Sequence, residues 1–117
     1  MKQNLIQHKT FDFSLAIIGL YKKLQNEHEY VISNQILKSA TSIGANVEEA
    51  IAAQSRKDFI HKMSVSLKEA RETYYWLRLL NESELTSIDV NNHLMKSSEI
   101  ISILSSIVKT SKKNINS

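Results

Sequence analysis

Cysteine and proline are absent from this chain of 117 residues, and glycine occurs only twice, as Gly19 and Gly44. Without cysteine the chain has no disulfide, no thiolate metal site and no cysteine nucleophile. With no proline and so little glycine, it lacks the residues that form the many tight turns of a sandwich or a barrel. The sequence therefore predicts an all-α fold.

Long apolar runs are also missing, since no segment approaches the roughly 20 residues that cross a bilayer. The N-terminal part is a poor secretory signal, because Asp12 interrupts it and no small-residue cleavage site follows its short apolar run. We expect a cytoplasmic protein without a membrane partner. An apolar fraction of 42% suits one globular domain over residues 1–117. The net charge of +3 is compatible with nucleic acid but does not diagnose it.

Four helices are predicted from apolar residues that recur at alternating steps of three and four. They span residues 11–25, 31–53, 56–80 and 87–108, and a polar tail follows at 109–117. The expected N-caps are Thr10 or Asp12 for the first helix, Ser55 with Asp58 for the third, and Thr86 or Ser87 for the fourth. Short polar connections favour antiparallel neighbours, so we expect an up-down-up-down four-helix bundle.

The apolar stripes of the first and third helices are expected to face the core. In the first helix the stripe is Phe11, Leu15, Ile18, Tyr21 and Leu24 or their neighbours. In the third it is Phe59, Met63, Leu67, Ala70, Tyr74 and Leu77. The two flanks of the third helix differ. One is a basic edge, made of Lys57, His61, Lys68, Arg71, Tyr75 and Arg78. The other is an acidic-aromatic edge, made of Glu69, Thr73 and Trp76.

Catalytic and metal-binding patterns are weak in this sequence. A di-metal site in a helix bundle needs glutamates from two helices and two Glu-x-x-His pairs. The nearest match is a single Asp58-x-x-His61 at the start of the third helix. No spaced serine, histidine and acid suggest a triad, and no glycine-rich phosphate loop is present. We predict no metal, no cofactor and no enzymatic activity.

A polar stripe lies beside the apolar one in the second helix and consists of Ser39, Ser42, Asn46 and Glu49. Asparagine and glutamate next to a core need hydrogen-bond partners, because unpaired buried polar groups cost free energy. One interpretation is a buried polar network around Asn46 and Glu49 that fixes the register of the helices. The other is a site that faces a ligand or a pore.

The basic edge also has two interpretations. Charged stripes are commonly solvated faces, yet cations along several turns with an interleaved tyrosine can follow a phosphate backbone. The candidate nucleic-acid contacts are Lys57, Lys68, Arg71 and Arg78, with Arg56 and Lys62 as outer contributors.

Three motifs lie in the second and third predicted helices and at the junction between them. Their residues are Ser42, Ile43, Ala45, Asn46 and Glu49, then Ser55, Lys57, Asp58 and Phe59, then Lys68, Glu69, Glu72, Thr73, Tyr75, Trp76 and Leu77. With these motifs the chain resembles the four-helix-bundle protein family encoded within intervening sequences of bacterial 23S rRNA genes. The similarity extends over most of the chain and fades after Leu80. Gly44 stands where the family usually has proline, and Ala50 where glycine is common.

The resemblance implies a homo-oligomer, a pentameric ring of bundles with no established enzymatic activity. A related branch, the accessory protein of diversity-generating retroelements, implies association with nucleic acid and a reverse transcriptase. We therefore expect a non-catalytic accessory protein that binds RNA or DNA through backbone phosphates. In the alternative, the protein is an interaction scaffold and its basic edge is a subunit interface. The candidate interface residues are Glu69, Glu72, Trp76 and Tyr75.

Overall fold

The chain folds into four α-helices over the residues that the structure describes. They are α1 (Lys2–Asn26), α2 (Val31–Ile51), α3 (Arg56–Glu82) and α4 (Asn91–Asn116). The computed structural model describes the backbone of residues 2–116 and the side chains of residues 5–114. Helices make up 85% of the chain, and the described residues contain no strand.

The helices form an antiparallel bundle in which each packs against its sequence neighbours and α4 closes onto α1. Among the described residues α1 does not contact α3, nor α2 α4, so each of these pairs occupies opposite corners of the bundle. The molecule measures 50 × 22 × 22 Å. The predicted all-α four-helix bundle is confirmed. Within the described residues, no helix is long and apolar enough to cross a membrane.

The core runs along the bundle axis and is built mainly from aliphatic side chains. Its largest fully buried members include Phe13, Ile17, Leu24, Ile36, Ile43, Met63, Leu77, Leu80 and Leu104. In α3 the predicted stripe is largely correct, since Met63, Ala70 and Leu77 are fully buried. Phe59 and Leu67 are half-buried beside them.

The stripe predicted for α1 is wrong. The buried residues of this helix are Ile6, Thr10, Phe13, Ile17, Leu20 and Leu24, so only Leu24 of the predicted set is fully buried. Phe11, Leu15 and Ile18 are instead exposed. Both sets have helical spacing, which means that α1 is apolar on two faces, and only one of them meets the core.

The first helix begins earlier than predicted, at Lys2 instead of Phe11. Thr10 is therefore not an N-cap, and neither is Asp12. The Thr10 hydroxyl is buried in mid-helix and donates to the Ile6 carbonyl at 2.8 Å. Such back-bonding satisfies a threonine hydroxyl inside a helix and removes the need for a polar partner elsewhere.

The third helix begins where the sequence predicted. The Ser55 hydroxyl accepts a hydrogen bond from the Asp58 amide at 3.1 Å, and Asp58 places an acidic group in the first turn. Both features stabilise a helix N-terminus, because they compensate unpaired amides and the positive end of the helix dipole. The predicted cap is confirmed.

The fourth helix begins later than predicted, at Asn91, and ends later, at Asn116. The Thr86 hydroxyl accepts from the Ile88 amide and donates to Glu27 at the end of α1, so it shapes the preceding loop. Asp89 accepts from the Asn91 amide at the helix start. Most of the predicted tail 109–117 is thus helical, while Ser117 lies outside the described residues.

Candidate nucleic-acid interface

The basic edge lies on the side of α3 that faces away from the core. Lys57, His61, Lys68, Arg71 and Tyr75 are all exposed, whereas the buried residues of α3 occupy the opposite side. The helix rises 1.5 Å per residue, so Lys57 and Lys68 are separated by about 16 Å along the axis. Arg71 follows less than one turn later. One rigid helix therefore holds these cations at fixed spacing.

Three of the candidate contacts are not neutralised by an acidic side chain among the described residues. Lys57, Lys68 and Arg71 form no ion pair with residues whose side chains are described. The same holds for the exposed Arg56. An unpaired cation on a fixed helix can donate hydrogen bonds to a phosphate oxygen without first breaking an internal contact.

The other two candidates are paired within the chain. Arg78 Nε lies 3.0 Å from Glu82 Oε2, and Lys62 Nζ lies 2.9 Å from Glu49 Oε1. In each case the hydrogen bond to the glutamate, followed by its charge, raises the pKa of the cation. Lys62 faces α2 and stands apart from the basic edge. Both residues are weaker candidates than the sequence suggested, because each already forms an ion pair with a glutamate.

The acidic-aromatic edge is only partly as predicted. Thr73 does not belong to it, because Thr73 is fully buried. Trp76 is half-buried against the core and donates through Nε1 to Glu72 at 3.2 Å. Tyr75 is 58% exposed and meets Trp76 edge to face, with ring centroids 5.2 Å apart. Tyr75 therefore lies on the basic edge, and its ring position is supported by the tryptophan beside it.

The predicted polar network around Asn46 and Glu49 is not buried. The Glu49 side chain is 58% exposed and pairs with Lys62. Asn46 is half-buried and donates to the carbonyl of Ser42, one turn back in the same helix. Neither residue links the helices through the core.

The buried polar contacts between α2 and α3 are made by hydroxyl groups. Thr73 Oγ1 and Ser39 Oγ are 2.8 Å apart, and Ser66 donates to the Ile43 carbonyl at 2.8 Å. All of these side chains are small, which lets α2 and α3 pack closely. Ser39 was selected from the sequence as part of the polar stripe and Thr73 as part of the acidic-aromatic edge, whereas Ser66 was not selected.

Two features of the described residues concern metal binding and protonation. Residues 5–114 contain no group of three or more His, Asp or Glu side chains placed to hold a metal ion. Burial lowers the pKa of His93, and the charges of Lys96 and Lys23 lower it further, although the Ala16 carbonyl and Asp89 act in the opposite direction. Its Nδ1 atom is buried and has no hydrogen-bond partner among the described atoms. His93 lies on α4, and its hydrogen bond to the Ala16 carbonyl joins it to α1.

Comparison with known proteins identifies the family. Residues 2–106, nearly the whole chain, match the family described as 23S rRNA-intervening sequence protein. The chain belongs to this family. A similar fold is seen in a crystal structure at 1.70 Å of a protein with unknown function from the S23 ribosomal protein family of Bacteroides thetaiotaomicron VPI-5482. The two chains are 50% identical, with a TM-score of 0.88 over 93% of this chain and 99% of the other.

No protein with a curated description matches the chain. The family resemblance drawn from the sequence motifs is confirmed. The family description names a relation to 23S rRNA without naming an activity.

Proposed function

We propose that this protein is a non-catalytic accessory protein that binds RNA or DNA through the phosphate backbone, using the basic edge of α3. The observation that carries the proposal is the set of exposed, unpaired cations Lys57, Lys68 and Arg71 on one outward face. Arg56 is exposed at the start of the helix, about 100° around it from Lys57, and is an outer contributor. Cations along an exposed helix suit a nucleic-acid backbone, which presents phosphates at regular intervals whatever its base sequence.

The expected salt dependence of binding follows from the number of cations. Four phosphate contacts give a salt slope of about −2.8 for a single strand and about −3.6 for a duplex. Between 50 and 200 mM salt the affinity should then fall by about 50-fold to 150-fold. The exposed ring of Tyr75 adds a surface on which an unpaired base can stack.

RNA is the first nucleic acid to test. The family description refers to 23S rRNA, and the solved relative is assigned to a ribosomal protein family. These descriptions concern the relatives, and for this chain they support the proposal of an RNA ligand.

The experiment uses fluorescence anisotropy with a labelled RNA at several salt concentrations. Lys68→Glu and Arg71→Glu should each weaken binding and reduce the magnitude of the salt slope by about one unit. Lys38→Glu is the matched control, because it makes the same charge change at an exposed position on α2. Binding that is absent, insensitive to salt, or equally affected by Lys38→Glu would contradict the proposal.

A second candidate function is a protein scaffold whose basic edge contacts a neighbouring subunit. It is favoured by the exposed Glu72, which lies beside the edge and could receive a cation from another copy. Glu69 is half-buried on the same side. Light scattering on Arg71→Glu separates the two functions. Loss of the oligomer with this variant identifies the edge as an interface, whereas an intact oligomer that no longer binds RNA identifies a nucleic-acid surface.

A further inference from the structure

Contacts with α2 show which flank of α3 lies beside α4. Lys62 pairs with Glu49 of α2, and Ser66 donates to the Ile43 carbonyl of α2. Lys62 and Ser66 therefore mark the flank of α3 that faces α2. Arg71 lies about 180° around the helix from Lys62 and about 140° from Ser66. Because α3 packs against α2 and α4 and not against α1 in the described residues, the Arg71 flank borders α4.

The flank of α4 that borders α3 is found in the same way. Glu99 pairs with Lys9 of α1 at 2.7 Å, and Lys96 lines the same small cavity between α1 and α4. Lys112 lies about 140° around the helix from Glu99 and about 160° from Lys96, so it lies on the flank that borders α3. Lys109 lies about 60° from Lys112, on the outward side. Both Lys109 and Lys112 are exposed, and neither forms an ion pair with a residue whose side chain is described.

Cations from the two helices alternate along the groove between α3 and α4. The connection joins Glu82 to Asn91, so residues of these antiparallel helices that are equally far from it lie at about the same level. In order towards the connection, the cations are Lys57, Lys112, Lys109, Lys68 and Arg71. Successive cations are about 4.5–6 Å apart along the bundle, and the two lysines of α4 fill the interval of about 16 Å between Lys57 and Lys68. Such a regular row suits the successive phosphates of one backbone.

The acidic residues of α3 and α4 lie outside this row of cations. Asp58 and Glu69 lie on the flank of α3 that faces α2, and Glu72 lies about 100° from Arg71 on the side away from α4. The α4 sequence has no acidic residue after Glu99. The acidic residues around the connection lie at the other end of the groove and are Glu82, Glu84 and Asp89. Positive charge is therefore concentrated in the part of the groove away from the connection.

We infer that the ligand is a single nucleic-acid strand in the groove between α3 and α4, held by Lys109 and Lys112 of α4 as well as by the basic edge. This inference rests on the proposed function and adds the α4 side of the site. The axes of packed helices lie about 8–10 Å apart, so side chains from both helices reach one backbone. A flexible single strand adapts to both rows of cations, whereas a duplex is stiff. The exposed ring of Tyr75, one turn beyond Arg71, suits an unpaired base.

The two lysines of α4 change the expected salt dependence of binding. Four phosphate contacts, made by α3 alone, give a salt slope of about −2.8 for a single strand. Two further contacts from Lys109 and Lys112 give a slope of about −4.2, which is a loss of affinity of about 300-fold between 50 and 200 mM salt. Extrapolated from 1 M salt, the two contacts increase the affinity at 100 mM salt by about 25-fold.

The test measures the binding of a labelled oligouridine, which has no base pairs, by fluorescence anisotropy at several salt concentrations. The double variant Lys109→Gln, Lys112→Gln should weaken binding about 25-fold at 100 mM salt and change the slope from about −4.2 to about −2.8, because two phosphate contacts are lost. The matched control is Lys22→Gln, Lys23→Gln, which neutralises two exposed lysines of α1 and should leave affinity and slope unchanged. Circular dichroism confirms that each variant is folded.

The inference is overturned if the α4 double variant binds like the wild type, or if the α1 control loses as much affinity. When Lys68→Glu and Arg71→Glu still weaken binding in that case, the proposed function stands without the α4 contacts. A duplex RNA of the same length that binds as tightly as the oligouridine rejects the assignment to a single strand. Binding by the wild type that is absent or insensitive to salt rejects the proposed function, and the inference with it.

Discussion

Replacing Thr73 by valine tests the buried hydroxyl contact that joins α2 to α3. Thr73 Oγ1 lies 2.8 Å from Ser39 Oγ and 2.8 Å from the Glu69 carbonyl oxygen, and both hydroxyl side chains are buried. Valine has nearly the same shape as threonine but lacks the hydroxyl. The Thr73→Val variant therefore leaves the Ser39 hydroxyl with only a 3.4 Å contact to the Ile36 carbonyl.

The expected loss can be worked out from these contacts. A buried polar group left without a good partner costs about 1–3 kcal/mol, so we expect Thr73→Val to lower the free energy of unfolding by about 2 kcal/mol. The total stability of a domain is only about 5–15 kcal/mol. Adding Ser39→Ala removes the unpaired hydroxyl and gains about 0.5 kcal/mol of helix propensity. The double variant should therefore be more stable than Thr73→Val alone.

Urea unfolding followed by circular dichroism measures these differences. The protein concentration is held constant, because self-association would make the midpoint depend on it. Thr110→Val, at an exposed position of α4, measures the effect of the same substitution without a buried partner. If Thr73→Val is no less stable than Thr110→Val, the contact contributes nothing. If the losses from Thr73→Val and Ser39→Ala simply add, the two hydroxyls are not coupled.

Three further predictions concern other parts of the fold. Burial lowers the pKa of His93, so the unfolded chain binds a proton more readily than the folded chain. Stability should be complete above the unfolded value of about 6.5 and should decrease as the pH falls below it. A melting temperature of His93→Gln with the same pH dependence as wild type would contradict this. Ser55→Ala should cost about 1 kcal/mol in urea unfolding, because the Asp58 amide loses its acceptor. Gly44→Ala should raise the unfolding free energy by about 0.5–1 kcal/mol, because a Cβ there lies 3.5 Å from Thr10, an ordinary contact. A loss of stability in Gly44→Ala would mean that α1 and α2 need a closer approach.

The third helix was the most predictable element, because its signals are local. The cap formed by Ser55 and Asp58 involves residues three apart, and the stripe through Met63, Ala70 and Leu77 fills one face with regular spacing. Such features depend on residues that are close together in the sequence. The outward direction of the basic edge follows from the same spacing.

The orientation of α1 could not be obtained in this way. The apolar residues around Phe13 and those around Phe11 both recur at helical spacing. The spacing shows that each set shares one face of the helix, but it does not show which face is buried. Which set faces the core is decided by the shapes of α2 and α4. Thr10 misled the prediction further, because a threonine before an apolar run is typical of a cap, whereas here it is buried.

The ion pairs between helices could not be predicted from the sequence, unlike one within a helix. Arg78 and Glu82 are four residues apart in one helix, so their pairing could have been inferred from spacing. Lys62 and Glu49 lie on different helices, and only the packing of α2 against α3 brings them together. The end of α4 was predicted too early, because the polar composition of its last turns was taken as a tail. Val108 and Ser111 are buried there and hold these turns against the bundle, and no glycine or proline stops the helix before them.

The placement of α1 and α3 at opposite corners has a consequence for the proposed contact of the basic edge with RNA. A strand held along α3 lies across the 22 Å width of the bundle from α1, so it leaves α1 uncovered. The protein would then hold a segment of a folded RNA on one side and present its opposite side to other proteins.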